Sequence, residues 1–127
     1  MGLVRNMAKE ITKEIGNKSR EFYEFVLPPV DMILEDDALI VIIDLPGFEK
    51  KDIKLSIHKN ILSINATKPE SKTDGVIYRQ RPSTIDKKIL LPMQLKDDET
   101  ASSAKFSQGV LTVRIPYSRK EKQISIE

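Results

Sequence analysis

The spacing of the apolar residues changes at Pro28-Pro29, and this change limits what the chain can fold into. Before the prolines, apolar residues recur every four positions, the spacing of one helix face, at Leu3, Met7, Ile11 and Ile15. After a break at Gly16-Asn17, a second short helix is predicted around residues 20–27. Proline lacks a backbone donor and restricts the residue before it, so the helical part should end here. After the prolines the apolar period falls to two, which is the period of a strand.

Six segments after Pro29 are rich in Ile, Val and Thr, several with clean alternation, and we predict that they are strands. They are residues 30–34, 38–44, 52–58, 61–67, 84–91 and 110–115. Turn residues such as Pro46-Gly47 and Gln108-Gly109 close them. Short strands at this spacing, with no helix between them, predict an all-β, immunoglobulin-like antiparallel β-sandwich.

The chain therefore divides into a helical segment, residues 1–27, a sandwich, residues 28–116, and a flexible extension, residues 117–127. A polar interruption near 69–83 is too long for a hairpin loop and contains a β-prone run, residues 76–80. A loop of this length is usually functional or meets a partner. The extension is polar except for Ile124 and Ile126, which Pro116 and seven further residues separate from the last predicted strand. We predict that these isoleucines are buried in something other than their own sandwich.

The composition argues against catalysis. His58 is the only histidine, in a predicted turn, and the absence of cysteine excludes disulfides, thiolate nucleophiles and Cys-based zinc sites. The carboxylate clusters at 35–37 and 97–99 lie in predicted turns and lack the spacing of a calcium loop. No glycine-rich phosphate loop is present. We predict that the protein is not an enzyme and has no cofactor and no bound metal.

The net charge and the N-terminal sequence limit the kinds of partner that the protein can bind and its location in the cell. The 21 Lys and Arg residues against 19 Asp and Glu give a formal net charge of +2, far below the basic excess of a nucleic-acid binder. The first eighteen residues carry charges every few positions and no long apolar run, so we expect neither a secretory signal nor a membrane span. The expected location is the cytoplasm.

Three motifs in order resemble those of the small heat-shock protein family, whose sandwich is the α-crystallin domain. DLPGFEKKDIKLSIHKNILSI, residues 44–64, is similar to the first family signature, and AKFSQGVLTVRIP, residues 104–116, to the second. Ile124-Ser125-Ile126 resembles the Ile-x-Ile tail of the family. Two positions depart from the pattern: Gln108 replaces the usual Asn, and Lys87 stands where arginine is frequent. Asn suits a left-handed turn better than Gln, and Lys lacks the bidentate fork of arginine that a dimer-interface ion pair would use.

The resemblance implies an ATP-independent holdase chaperone of the stress response. Such a protein binds partly unfolded proteins, prevents their aggregation, and works as a large homo-oligomer built from dimers. In those dimers the long loop adds a strand to the sheet edge of the partner. The corresponding residues here are Gly75, Val76, Ile77, Tyr78, Arg79 and Gln80.

The resemblance also implies a groove for the tail motif and a surface for clients. The groove residues would be Ile53, Leu55, Ile57, Ala104 and Phe106, where the last two imply a further strand. The alternation of Ile53, Leu55 and Ile57 is equally compatible with a place in the core. The client or assembly surface would be Leu3, Met7, Ile11, Phe22, Tyr23 and Phe25.

Two alternatives remain open at this point. One is a co-chaperone adaptor with a related sandwich, which would be monomeric and lack both the tail motif and the strand-lending loop. The other is a structural shell protein that assembles in the same way but binds no clients. The sequence favours an assembling protein over the adaptor and does not separate the shell protein from the chaperone.

Overall fold

The computed structural model describes residues 15, 18–22, 24, 26–70, 73–93, 102–117 and 124–127. The described residues 18–22, 24 and 26 are helical and overlap the second helix predicted around residues 20–27, and Ile15, from the first predicted stretch, is helical as well. The helix predicted before them lies almost entirely outside the described residues. Five of the predicted client-surface residues also lie outside them: Leu3, Met7, Ile11, Tyr23 and Phe25.

The described part of the chain contains seven strands in two antiparallel sheets, and the predicted all-β sandwich is confirmed. The strands are β1 (Val30–Leu34), β2 (Ala38–Asp44), β3 (Ile53–His58), β4 (Ile61–Thr67), β5 (Thr84–Leu90), β6 (Ser103–Ser107) and β7 (Val110–Pro116). The larger sheet has the order β1-β2-β7-β6 and the smaller sheet the order β3-β4-β5. A short 3-10 turn, Lys50–Asp52, precedes β3, so Asp52 belongs to this turn and not to the strand predicted over 52–58.

β6 is the one strand that the pattern of apolar residues does not predict. Its sequence, SAKFS, has a single large apolar residue, Phe106, beside an alanine and a lysine, which are less frequent in strands. Only the resemblance placed a strand there. Pairing with β7 fixes it, since Ala104 lies opposite Val113 and Phe106 opposite Leu111.

The core lies between the sheets and is built from alternate strand residues that share one face. β2 and β7 are paired so that Val41 faces Val113 and Ile43 faces Leu111, and all four side chains are buried. Ile64 of β4 belongs to the same buried cluster from the opposite sheet. Because each such side chain contributes roughly 1.5–3 kcal/mol on burial, this cluster holds the two sheets together.

β1 extends beyond the smaller sheet, because four strands face three and β6, at the other end of the larger sheet, lies across a groove from β3. The register places Met32 opposite Val41 and Leu34 opposite Leu39, so all four side chains lie on the inner face. Val41 and Leu39 are buried, yet Met32 is 46% exposed and Leu34 is 45% exposed. The described part of the chain therefore leaves the inner face of β1 half-covered at Met32 and Leu34, whereas Val30 on the same face packs partly against the core. β1 is also an edge strand, since no strand among the described residues pairs with its outer edge.

The turn between β6 and β7 has the backbone conformation of a tight hairpin. Gln108 has a φ of 53° and Gly109 a φ of 78°, and a type I′ turn requires positive φ at both central residues. Glycine suits its position for a second reason: a Cβ at Gly109 would lie 3.2 Å from the backbone of Pro46. Gln108 thus adopts a left-handed conformation that Asn tolerates better.

We expect the Gln108→Asn variant to be more stable than the natural chain. The left-handed conformation costs most side chains roughly 1–2 kcal/mol, and the short polar side chain of Asn recovers part of this, about 0.5 kcal/mol. The measurement is denaturant-induced unfolding at a fixed protein concentration. Gly109→Ala is the control of opposite sign, because it adds a Cβ at positive φ against Pro46. A lower unfolding midpoint for Gln108→Asn would contradict the role given to this turn.

Candidate interaction surfaces

A groove of about 310 Å³ opens between β3 and β6, which are the edge strands of opposite sheets. Leu55 and Ile57 of β3 line one side, and Ala104 of β6 lines the other. The buried core residues Leu62 and Val113 form its base. The structure therefore brings three of the five predicted groove residues together around one apolar opening.

The other two predicted groove residues, Ile53 and Phe106, are partly buried against the core and are not among the residues lining the groove. Leu55 and Ile57 also pack partly against the core. Leu55 and Ile57, on the inner face of β3, thus contact the core and also line the groove. For this reason the alternation alone left the two interpretations open.

The two isoleucines of the tail are almost fully exposed. Ile124 is 88% exposed and Ile126 is 96% exposed, and neither belongs to a strand. Burial of an isoleucine contributes roughly 1.5–3 kcal/mol. In the described part of the chain these two side chains are not buried, although the same chain has an open apolar groove.

Residues 69–83, called the arm below, connect β4 to β5. The chain reverses at Asp74-Gly75, where the Val76 N–H donates to the Thr73 carbonyl over 3.3 Å. No described residue of the arm belongs to a strand, and Ile77 and Tyr78 are exposed. Lys68 and the arm residues on both sides of the turn line an open cavity of about 580 Å³. The arm therefore stands as a loop whose apolar side chains are available for contact.

A cluster of polar side chains, called the Glu70 cluster, joins the helix to both ends of the arm. The Glu70 carboxylate accepts hydrogen bonds from Arg79 over 3.3 Å and from the Ser83 hydroxyl over 3.1 Å. Arg20 of the helix forms an ion pair with the same carboxylate and donates to the Ser83 oxygen. Arg20 also pairs with Glu24, one helical turn on, over 3.2 Å. The sequence does not predict this cluster, because no local pattern indicates that these distant residues meet.

The helix carries an apolar stripe on the side away from this cluster. Phe22 and Val26 are four residues apart among the described helical residues, so they share one helix face, and both are exposed, as is Ile15. By the same geometry, Arg20 and Glu24 lie on the opposite face. Phe22 is the one predicted client-surface residue that the structure describes, and Ile15 and Val26 join it.

Two cations meet beside Gly47, at the ends of the arm. A Cβ at Gly47 would lie 2.8 Å from Arg81 Nη2 and 3.0 Å from Lys68 Nζ. Burial lowers the pKa of Lys68 and the charge of Arg81 lowers it further, while Asp52 acts in the opposite direction. Lys68 Nζ also lies 4.8 Å from the centre of the Phe48 ring, a cation–π contact. Lys68, just before the arm, and Arg81, near its end, thus lie close together beside the loop that contains Gly47.

Lys87 connects the smaller sheet to the end of the helix. It shares a face of β5 with the buried residues Ile85 and Ile89. Its Nζ donates to the Val26 carbonyl over 3.4 Å. Carbonyl groups at a helix C-terminus lack helical partners and favour a nearby cation. The lysine that replaces the frequent family arginine therefore contacts its own helix.

Two classes of site are absent from the described residues. Among them, no three His, Cys, Asp or Glu side chains are grouped as a metal site requires. None of the helical residues that the structure describes forms a helix long and apolar enough to cross a membrane.

Comparison with known proteins agrees with the fold. Residues 31–127 match the model of the Hsp20/alpha crystallin family. The chain is 31% identical over 120 residues to small heat shock protein C2 of Rickettsia felis, covering 84% of this chain and 77% of that protein. It is similar in structure to a mutant of hsp14.1 from Sulfolobus solfataricus, with 38% identity, a TM-score of 0.76 and coverage of 98% and 94%. A small heat-shock protein from Xylella fastidiosa, described as having a distinct high order structure, is 25% identical with a TM-score of 0.60, over 80% of this chain and 94% of that one.

Proposed function

The chain belongs to the Hsp20/alpha crystallin family, and on this premise we propose that it is an ATP-independent holdase chaperone of the cytoplasm. Membership in a small heat-shock protein family implies a chaperone function, and such proteins are generally not enzymes. In the proposed function the protein binds partly unfolded proteins and prevents their aggregation as an oligomer of dimers. Residues 1–27 serve assembly and client binding, residues 28–116 form the sandwich, and residues 117–127 carry the tail motif.

One observation carries the proposal: a single chain exposes both an apolar ligand and an apolar receptor. Ile124 and Ile126 are almost fully exposed, and the groove between β3 and β6 is open. The tail of one copy would place its isoleucines against Leu55, Ile57 and Ala104 of another. This contact would bury the isoleucines and the groove together, and it would link copies of the chain to one another.

The strength of this contact fits an assembly that exchanges its subunits. Burying two isoleucines contributes roughly 3–6 kcal/mol before costs. Ordering the tail and losing its freedom of motion take several kcal/mol of this gain. A single tail should therefore bind weakly, whereas many tails in one particle hold together because each later contact is intramolecular.

Dimers would form at β1. No strand of the described residues pairs with its outer edge, and Met32 and Leu34 on its inner face are about half exposed. The arm of a partner can add residues 75–80 to this edge, with backbone hydrogen bonds giving affinity and side chains such as Ile77 and Tyr78 giving register. An exposed edge strand is otherwise an aggregation hazard, so covering it serves the stability of the protein itself.

Clients would bind the apolar surfaces that assembly leaves open or releases. Ile15, Phe22 and Val26 are exposed among the described helical residues, and a groove without its tail exposes Leu55 and Ile57. An unfolded protein presents apolar side chains of the same kind, so assembly and client binding compete for these surfaces. Warming that opens the particle should then increase client binding.

We expect the protein to suppress the heat-induced aggregation of an unrelated labile enzyme, in the absence of ATP. Client chains that expose apolar segments bind the surfaces described above instead of one another, so light scattering at a stoichiometric ratio should fall severalfold. A stable protein of similar size and charge, added at the same concentration, is the control for crowding. Unchanged scattering would contradict the holdase proposal. It would favour the alternative function, a structural shell protein that does not bind clients.

A further inference from the structure

The Glu70 cluster places a residue of the helix at the base of the arm. Arg20 contacts the Glu70 carboxylate and the Ser83 hydroxyl, which belong to opposite ends of the arm. Glu70 in turn holds Arg79, which lies within the segment proposed to pair with a partner. One helical side chain therefore joins both ends of the arm, directly or through Glu70.

The exposure of these side chains shows that Arg20 is the more enclosed partner. The Arg20 side chain is only 17% exposed, compared with 44% for Glu70. A guanidinium offers several donors in a fixed planar arrangement, and here it serves Glu24, Glu70 and Ser83 together. Charge-assisted hydrogen bonds of this kind are stronger than neutral ones, and partial burial limits their screening by salt.

We propose that Arg20 is a positioning residue for the arm, which holds the partner-binding segment ready for strand exchange and links it to the N-terminal helix. An arm held at both ends loses less conformational freedom when it pairs with the edge of β1 in a partner, so pairing is tighter. The helix and the arm are thereby coupled. A client or subunit that draws the helix away by its apolar stripe removes Arg20 from the arm and weakens the dimer.

This inference rests on the strand-exchange part of the proposed function, and the experiment separates the two. Full-length chains carrying Arg20→Gln, Arg20→Lys or Glu24→Gln are compared with the natural chain. Glu24→Gln is the matched control, since Glu24 contacts Arg20 but, in the described contacts, neither end of the arm. Subunit exchange within dimers is followed by native mass spectrometry, as the growth of mixed dimers of isotopically labelled and unlabelled copies. Amide hydrogen exchange is followed across residues 73–80.

For Arg20→Gln we expect subunit exchange about tenfold faster, together with faster hydrogen exchange in the arm and unchanged exchange in β4 and β7. Tenfold corresponds to about 1.4 kcal/mol. Arg20→Lys should give an intermediate effect, because lysine keeps the charge but lacks the planar fork. Glu24→Gln should change the rate less than twofold.

Two results would overturn the inference. One is an Arg20→Gln variant that behaves like Glu24→Gln in both measurements. The other is faster hydrogen exchange throughout the sandwich, which would make Arg20 a general stabilising residue. The strand-exchange proposal has its own test in an Ile77→Pro variant, which blocks pairing of the arm itself. If Ile77→Pro exchanges subunits like the natural chain, strand exchange fails whatever Arg20 does.

Discussion

Replacing both Ile124 and Ile126 by serine should reduce the large assembly to dimers. Each tail contact loses the burial of two isoleucine side chains, roughly 3–6 kcal/mol before costs. Even the lower figure weakens one contact about a hundredfold, because 1.4 kcal/mol corresponds to a factor of ten. The effect grows with the number of tails in the particle, since the contacts support one another. Size-exclusion chromatography with light scattering measures the mass of the assembly directly.

The control for this variant is Ser125→Ala, which alters the tail between the two isoleucines and leaves both in place. It should keep the mass of the natural assembly. A complementary change, Leu55→Asp, puts a charge into the wall of the groove and should dissociate the assembly in the same way. If the double serine variant remains a large particle, the tail does not hold the assembly and the groove needs another occupant.

Replacing Ile77 by proline should separate the dimers into monomers. Proline removes a backbone donor from the middle of the segment that pairs with β1 and cannot continue a strand ladder. A buried carbonyl left without its donor costs about 1–3 kcal/mol, and a two-fold dimer contains the change twice. The dimer dissociation constant should therefore rise at least thirtyfold, which analytical ultracentrifugation over a range of concentrations can measure.

Ile77→Ala separates the contribution of the backbone from that of the side chain. Alanine keeps the N–H donor and removes only the exposed apolar side chain, so the dimer should weaken but persist at micromolar concentration. The same proline change should leave the folded sandwich intact, because Ile77 is exposed and lies outside all seven described strands. Dimers that survive Ile77→Pro would show that residues 75–80 do not form the dimer contact.

Local patterns predicted most of the strands, because each depends on neighbouring residues. The runs that became β2, β4 and β7 alternate or are continuously apolar and end in turn residues, and all three are strands. β6 escaped this reasoning, because serine and lysine beside Ala104 and Phe106 leave too little apolar pattern to recognise. β6 becomes a strand because it pairs with β7. Such a tertiary contact can impose the strand conformation on a segment whose own residues favour it only weakly.

The interaction surfaces are formed by segments that are distant in the sequence. Local sequence patterns therefore cannot predict them. The resemblance named Leu55, Ile57 and Ala104, and the structure brings them to one groove. No pattern around residues 30–34 shows that β1 extends beyond the opposite sheet, because this follows from four strands facing three. The contact of Arg20 with Glu70 likewise joins segments on either side of four strands.

The partial exposure of Met32 and Leu34 on the inner face of β1 has a consequence for how the protein is made. During translation β1 and β2 leave the ribosome before the arm, and the arm that covers β1 in the proposed dimer comes from another molecule. In this proposed dimer, Met32 and Leu34, which the described part of the chain leaves about half exposed, are covered only when a newly made chain meets a second copy. The waiting time falls as the concentration of chains rises, since pairing is bimolecular. A burst of synthesis, rather than slow accumulation, would keep each molecule in this vulnerable state for the shortest time.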